Sequence, residues 1–255
     1  MPEFVKNPFL PQKQVKLVLI DSRANQSLKS LLKQKGIDWI EVPPCPVLYP
    51  AISCHPDIQC HPLGGRRIMV APNVNESLIR QLIQHSFEIV MGNNSLDGNY
   101  PGNIAYNVAR MGCTAFHHGS YTDPALKEEY ERQCIKLVHV RQGYTKCSVA
   151  MLNERALITS DKGIKKAAEG LGIDVLAINP GEIILKGLPY GFIGGTCGLI
   201  APDEMLFSGK LRCHPDYEVI SAFLGKYGIK PVEVEGIQLE DIGSIIPLME
   251  ACNSG

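Results

Sequence analysis

The chain has 255 residues, of which 45% are hydrophobic and 20% charged, with a formal net charge of -1. This is globular composition, enough for one large domain or two small ones, and its charge gives no footprint for nucleic acid or an anionic membrane surface. No apolar run approaches the ~18 residues of a membrane span, and the opening stretch MPEFVKNPFLPQKQ lacks the apolar core of a secretory signal, so a cytoplasmic protein with no membrane partner is expected.

The first element, VKLVLIDSR (15–23), reads as a strand with no partner close by in sequence. QSLKSLLKQKG (26–36) carries apolar residues at 28, 31 and 32 and ends on Gly, the pattern of an amphipathic helix. A strand, IDWIEVP (37–43), follows it, and after a loop comes a hairpin pattern from 57, DIQCHPLGGRRIMVAPN. The same order then recurs. Helices before FEIVMG (87–92), IKLVHV (135–140), IDVLAIN (173–179) and IKPVEVE (229–235) alternate with extended stretches beginning at 102, 145, 194 and 241. The five stretches start 45, 43, 49 and 47 residues apart, a sustained period that marks an internal repeat.

The units run roughly 24–73, 74–123, 124–161, 162–212 and 213–250. The last lacks a closing strand, and 15–23 matches the closing strands RIMVAPN and RALITSD, so the N-terminal strand is expected to complete it. The predicted fold class is α/β: a single domain over 1–255, a five-bladed α/β-propeller of ββαβ units with pseudo-five-fold symmetry. The alternative is a three-layer α/β fold with a mixed sheet; the absence of GxGxxG and GxxxxGK[ST] argues against its nucleotide-binding versions. No cofactor is expected.

The segment SCHPDIQCHPLGG (53–65) is the densest cluster of reactive side chains. Read as a strand, it puts His55, Asp57, Gln59 and His61 on one face. They either line a central channel or form a solvated face with one His–Asp hydrogen bond. A zinc site would use Cys54, His55, Cys60 and His61, but neighbours on a strand point to opposite faces, so no metal is expected. The nine cysteines are irregularly spaced with no CxxC and read as free thiols. Cys147 and Cys197 occupy similar places in their units, Cys197 among Gly194, Gly195 and Gly198. Lys146 would lower the Cys147 thiol pKa if the two groups were close in space. Asn103 and Asn107 offer amides in the second unit, Asp241 opens the fifth inner stretch as Asp57 opens the first, and Asp161 and Asp216 are expected to cap helices.

The five units and the segments QGYTKCSV, ALITSDKGI, YGFIGGTCG and LEDIGSIIPL resemble the pentein, or guanidine-modifying, superfamily, in an uncharacterised bacterial branch. That superfamily includes arginine and agmatine deiminases, dimethylarginine hydrolases and amidinotransferases. The resemblance implies a hydrolase or transferase acting on C–N bonds of a guanidino or amidino compound, with a small cationic molecule as partner. In those enzymes a Cys of the last unit attacks the guanidinium carbon and a His of an H-x-D/E motif in a middle unit moves the proton. Here Gly243 and Ser244 stand where the Cys is expected, and QGYTKCSVAML has no H-x-D/E. The roles then pass to Cys197 as nucleophile and to His55 or His214 as acid and base. Asp57 and Asp241 would hold the cation, with Gln59, Asn103, Lys146 and Cys147 around it. The other reading is a non-catalytic relative that binds a small ligand or a protein partner.

Overall fold

A computed structural model describes residues 2–252. In chain order it begins with strands β1 (Glu3–Phe4) and β2 (Val15–Asp21), helix α1 (Gln26–Gln34) and strand β3 (Asp38–Val42). Next come α2 (Pro56–Gln59), β4 (Cys60–Gly64), β5 (Arg67–Val70), α3 (Glu76–Gln84) and β6 (Glu88–Met91), then β7 (Ala109–Met111), β8 (Thr114–His117), α4 (Pro124–Arg132) and β9 (Lys136–His139). The third repeat is α5 (Thr145–Ser148), β10 (Val149–Asn153), β11 (Ala156–Thr159), α6 (Lys162–Glu169) and β12 (Asp174–Ala177). The fourth is a 3-10 turn (Ile193–Thr196), β13 (Cys197–Ala201), β14 (Glu204–Phe207), α7 (Tyr217–Lys226) and β15 (Lys230–Glu233), and β16 (Ile246–Glu250) ends the series.

Four sheets have the order β4-β5-β6, β7-β8-β9, β10-β11-β12 and β13-β14-β15. In each, the middle strand is antiparallel to the strand before it and parallel to the strand after the helix. The parallel pair needs a crossover, and the helix supplies it. The fifth sheet is β1-β16-β2-β3. Its β2 lies antiparallel to β16, Leu19 opposite Ile246, and parallel to β3, Leu19 opposite Ile40. The orphan N-terminal strand thus joins the last inner strand, as its pattern predicts.

The five long helices bury one i, i+4 pair each: Leu28 and Leu32, Leu78 and Leu82, Leu126 and Tyr130, Ile164 and Ala168, Ile220 and Leu224. Two residues at that spacing share one face of a helix. Asn25, Asn75, Asp123 and Asp161 accept hydrogen bonds from first-turn N–H groups with their side chains. Asp216 sits at the corresponding place before α7 but makes no such bond. Its carboxylate instead accepts from the Asn179 backbone N–H at 2.6 Å and the Asn179 amide at 2.9 Å, tying the 179–192 loop to the helix.

Each of the five long helices is followed by a residue in the left-handed region: Gly36, Ser86, Cys134, Gly172 and Gly228, at φ between 55° and 75°. A side chain costs about 1–2 kcal/mol there. Ser86→Gly and Cys134→Gly are therefore expected to raise the thermal midpoint by roughly 1–3 °C each, after the unfolded-state entropy of the new glycine is subtracted. Differential scanning calorimetry showing no change or a fall for both would sink this.

Residues 53–65 depart from the strand read from the sequence. Pro56, whose fixed φ suits a first helical position, opens α2, and the strand begins only at Cys60. His55, Asp57, Gln59 and His61 therefore share no strand face.

Candidate active site

Every inner strand (β4, β7, β10, β13 and β16) is entered through a tight turn, and two positions in that turn recur. Two residues before the strand stand Ile58, Asn107, Cys147, Gly195 and Ser244; five before it stand His55, Ile104, Tyr144, Phe192 and Asp241. Five of these ten positions line one cavity. A cavity of about 290 Å³ is lined by His55, Tyr144, Cys147, Phe192 and Asp241 together with Tyr49, Ile52, Leu185, Leu188, Pro189 and Tyr190.

Of its lining residues, His55 and Cys147 are buried together with Asp57, which lies behind the lining, and one ligand-type atom of each of the three lies within 4.8 Å of the others. The Cys147 thiol donates to Asp57 Oδ2 at 3.1 Å and accepts from the Asn107 amide at 3.2 Å. The Ser244 hydroxyl also donates to Asp57 Oδ2, at 2.6 Å, and Lys146 Nζ donates to Ser244 Oγ at 2.8 Å. Asp241 accepts from the Gly243 N–H at 3.0 Å and the Phe192 N–H at 2.9 Å, and its Oδ1 lies 3.9 Å from His55 Nδ1. His55 Nδ1 and Asp57 Oδ1 are buried without a hydrogen-bond partner among the described residues. Such atoms carry a full desolvation penalty unless a ligand meets them.

Burial, and then the charges of Asp57 and Asp241, push the Cys147 thiol well above its ordinary value. Lys146, which would lower it if close in space, is not among the groups that act most on it: its Nζ turns to Ser244 and the Gly194 carbonyl, at 2.8 and 3.3 Å. Burial holds Asp241 above the usual carboxylate range; the charge of Asp57 adds to this, while His55 and the two N–H donors pull it back. The thiol is thus neutral in a site that gathers two carboxyl groups.

Of the residues singled out in the sequence, His55, Asp57, Lys146, Cys147 and Asp241 meet here. Asn103 flanks them, its Oδ1 accepting from the Tyr144 hydroxyl at 2.8 Å. The others lie elsewhere. The Cys197 thiol donates to the Ile193 carbonyl at 3.4 Å and faces a separate cavity of only about 10 Å³ beside Lys146 and Phe9. Burial raises it to about 11, Lys146 pulling the other way. His214 lines a different cavity, of about 300 Å³, which shares Leu185, Leu188 and Pro189 with the first. Gln59 holds backbone, donating to the Pro43 and Ser53 carbonyls at 2.9 and 2.7 Å. His61 is a core residue bonded to the Tyr130 hydroxyl at 2.8 Å. The four zinc candidates do not gather either: the Cys60 thiol donates to the Pro56 carbonyl and Cys54 contacts Ser53.

Ser244, Tyr49, Tyr144, Tyr190 and Phe192 were not among the residues assigned from sequence. The signal that finds Ser244, Tyr144 and Phe192 is position in the turn, two or five residues ahead of the inner strand. It needs the strand starts, which the hairpin alignment alone misplaces.

The fold matches solved enzymes along almost its whole length. The inosamine-phosphate amidinotransferase of Streptomyces griseus superposes with a TM-score of 0.61 at 10% identity, over 99% of this chain and 97% of that one. SxtG, an amidinotransferase from Microseira wollei in the saxitoxin biosynthetic pathway, gives 0.58 at 12% identity, over 90% and 91%. The DDAH of Pseudomonas aeruginosa, solved with citrulline, gives 0.56 at 11% identity, over 87% and 92%. The chain has the fold of the pentein, or guanidine-modifying, superfamily. No curated protein matches it in sequence. A family of unknown function, DUF6873, matches residues 19–246, and the chain belongs to it.

Proposed function

We propose that the protein is an enzyme acting on a C–N bond of a guanidino or amidino compound, its five sheets forming the blades of an α/β-propeller over 1–255. The observation that carries this is a thiol, an imidazole and the Asp241 carboxyl lining one cavity, with the Asp57 carboxyl hydrogen-bonded to that thiol directly behind it. A planar cation suits paired carboxylates, and the solved enzymes of similar fold include amidinotransferases and an agmatine deiminase. Asp57 and Asp241 hold the cation. Cys147, rather than Cys197, is the nucleophile. It stands in the third unit at the place Ser244 takes in the last, so the thiol has moved round the repeat relative to the pattern that the resemblance implies.

A cation between the carboxylates offsets the charges that keep the thiol protonated, so substrate binding itself favours the thiolate. The sulfur then adds to the central carbon while the thiol proton passes to His55. His55 returns that proton to the departing nitrogen as the C–N bond breaks. Water, or an amine acceptor in a transferase, next attacks the thio-linked carbon and gives its proton to His55 as the C–S bond breaks and the sulfur leaves as thiolate.

Thermal unfolding with a set of guanidines and amidines tests the cation site. A compound present at a hundredfold its Kd should raise the midpoint by roughly 5–10 °C. The shift should vanish in Asp57→Asn, and urea analogues of the same shape should give none. Equal shifts from the neutral ureas would defeat the reading.

A second reading is a bound transition-metal ion on His55, Asp57 and Cys147, favoured by the unpartnered His55 Nδ1 and Asp57 Oδ1. Imidazole, carboxylate and thiolate donors together suit zinc. Elemental analysis of purified protein giving one equivalent, lost in Cys147→Ala, would establish it.

A further inference from the structure

Above the polar floor the cavity is apolar. Its walls are the rings of Tyr49, Tyr144, Tyr190 and Phe192 and the side chains of Leu185 and Leu188. The Tyr144 hydroxyl donates to Asn103 Oδ1 at 2.8 Å and lies 3.3 Å from the Tyr49 hydroxyl, so the hydroxyls of these two lining residues already have partners. Tyr190 packs edge-on against Phe192, with ring centroids 6.1 Å apart. At the mouth, Leu188 is 42% and Tyr190 41% exposed, although both are large apolar side chains. None of the described residues lining this cavity is an Arg or a Lys. Two cations line a neighbouring cavity that shares Leu185 and Asp241, and both are paired: Lys186 with Glu240 at 2.8 Å, and Arg23 with Asp21 at 2.6 Å.

Resting on the cation reading above, we infer that the substrate carries its guanidinium or amidinium on a compact apolar tail, as an alkyl- or aryl-guanidine does, and is not an α-amino acid. A carboxylate on the tail would be desolvated among rings with no cation to meet it, and a second ammonium would be equally unpaired there. An apolar tail covers the exposed Leu188 and Tyr190 and gains from leaving water. The volume, at the low end of small-molecule pockets of roughly 300–1,000 Å³, limits that tail to about one ring or a short chain.

Isothermal titration with phenethylguanidine, arginine, agmatine and methylguanidine tests this, with phenethylurea as the neutral counterpart. Phenethylguanidine is expected to bind at least tenfold more tightly than arginine or agmatine. Tyr190→Ser, at the exposed rim, should weaken phenethylguanidine about fivefold or more and leave methylguanidine within twofold. Arginine or agmatine binding as tightly as phenethylguanidine would overturn the apolar-tail inference and leave the cation site standing. Phenethylurea binding as tightly as phenethylguanidine would instead overturn the cation reading, and the inferred substrate class with it. Binding by none of the five compounds would also overturn the inference.

Discussion

Cys147→Ala is expected to abolish covalent labelling by 2-chloroacetamidine at the central cavity and to cut turnover of any substrate at least ~1,000-fold, because a nucleophile cannot be replaced by the groups around it. Cys197→Ala should leave both within about threefold. The reagent carries an amidinium that can sit between Asp57 and Asp241 and offset the charges holding the thiol protonated. Neutral iodoacetamide cannot do this, although iodide is the better leaving group. At Cys147 the amidinium reagent should therefore react faster than iodoacetamide, while the exposed Cys113, Cys134, Cys213 and Cys252 should show the reverse order. Peptide mapping by mass spectrometry separates the sites. In Asp57→Asn the negative charge that, after burial, does most to raise the thiol pKa is gone. Its Cys147 should become more acidic and react faster with iodoacetamide, while losing its preference for the amidinium reagent. Labelling of Cys197 in place of Cys147 would reverse the assignment.

Acid should unfold this protein earlier than its carboxylates alone would require. His61 and His117 are fully buried, and burial lowers each from an ordinary 6.5 to about 3. His61 is also opposed by the charge of Arg110. Both rings stay neutral in the folded state and take up protons in the unfolded state below about 6.5, so the unfolded chain binds more protons and stability falls as pH falls. Over the whole interval each histidine withdraws on the order of 4–5 kcal/mol, against a total stability of roughly 5–15 kcal/mol. Asp241 acts in the opposite sense, since its raised carboxyl takes up a proton first in the folded state. Between pH 6 and 5 the net uptake on unfolding is about one to two protons, a loss of roughly 1.4–2.7 kcal/mol per pH unit. Urea titrations at half-unit steps would show it, and a flat profile across that interval would contradict the burial of these two rings as neutral groups.

The fold was legible because its signals are local and repeated. The apolar pairs such as Leu28 and Leu32 or Ile220 and Leu224 mark each helix, and the unpaired VKLVLID run announces a strand whose partner lies far along the chain. The site was half legible. His55, Asp57 and Asp241 stood out as polar groups at the start of inner stretches. The choice between Cys147 and Cys197 turned on where each inner strand starts, and a slip of two residues exchanges a side chain at the cavity for one in the packed layer behind it. Pro56 hid the boundary, since a proline within an apparently alternating run also fits an irregular edge strand. The apolar wall was the least legible part. Tyr49, Leu188 and Tyr190 lie on long loops without periodicity, and only the fold brings them over the thiol.

The insertion of β2 between β16 and β3 has a consequence for how the molecule is made. Gln12 and Glu250, joined by a 2.6 Å hydrogen bond, are 238 positions apart in the chain. Ribosomal synthesis releases β2, α1 and β3 long before β16, the antiparallel neighbour of β2, is made. Until then a long apolar strand waits with one bare edge, an invitation to intermolecular pairing. The β2–β16 pair can form only after residues 246–250 have been made, and a product truncated before residue 246 would be expected to aggregate.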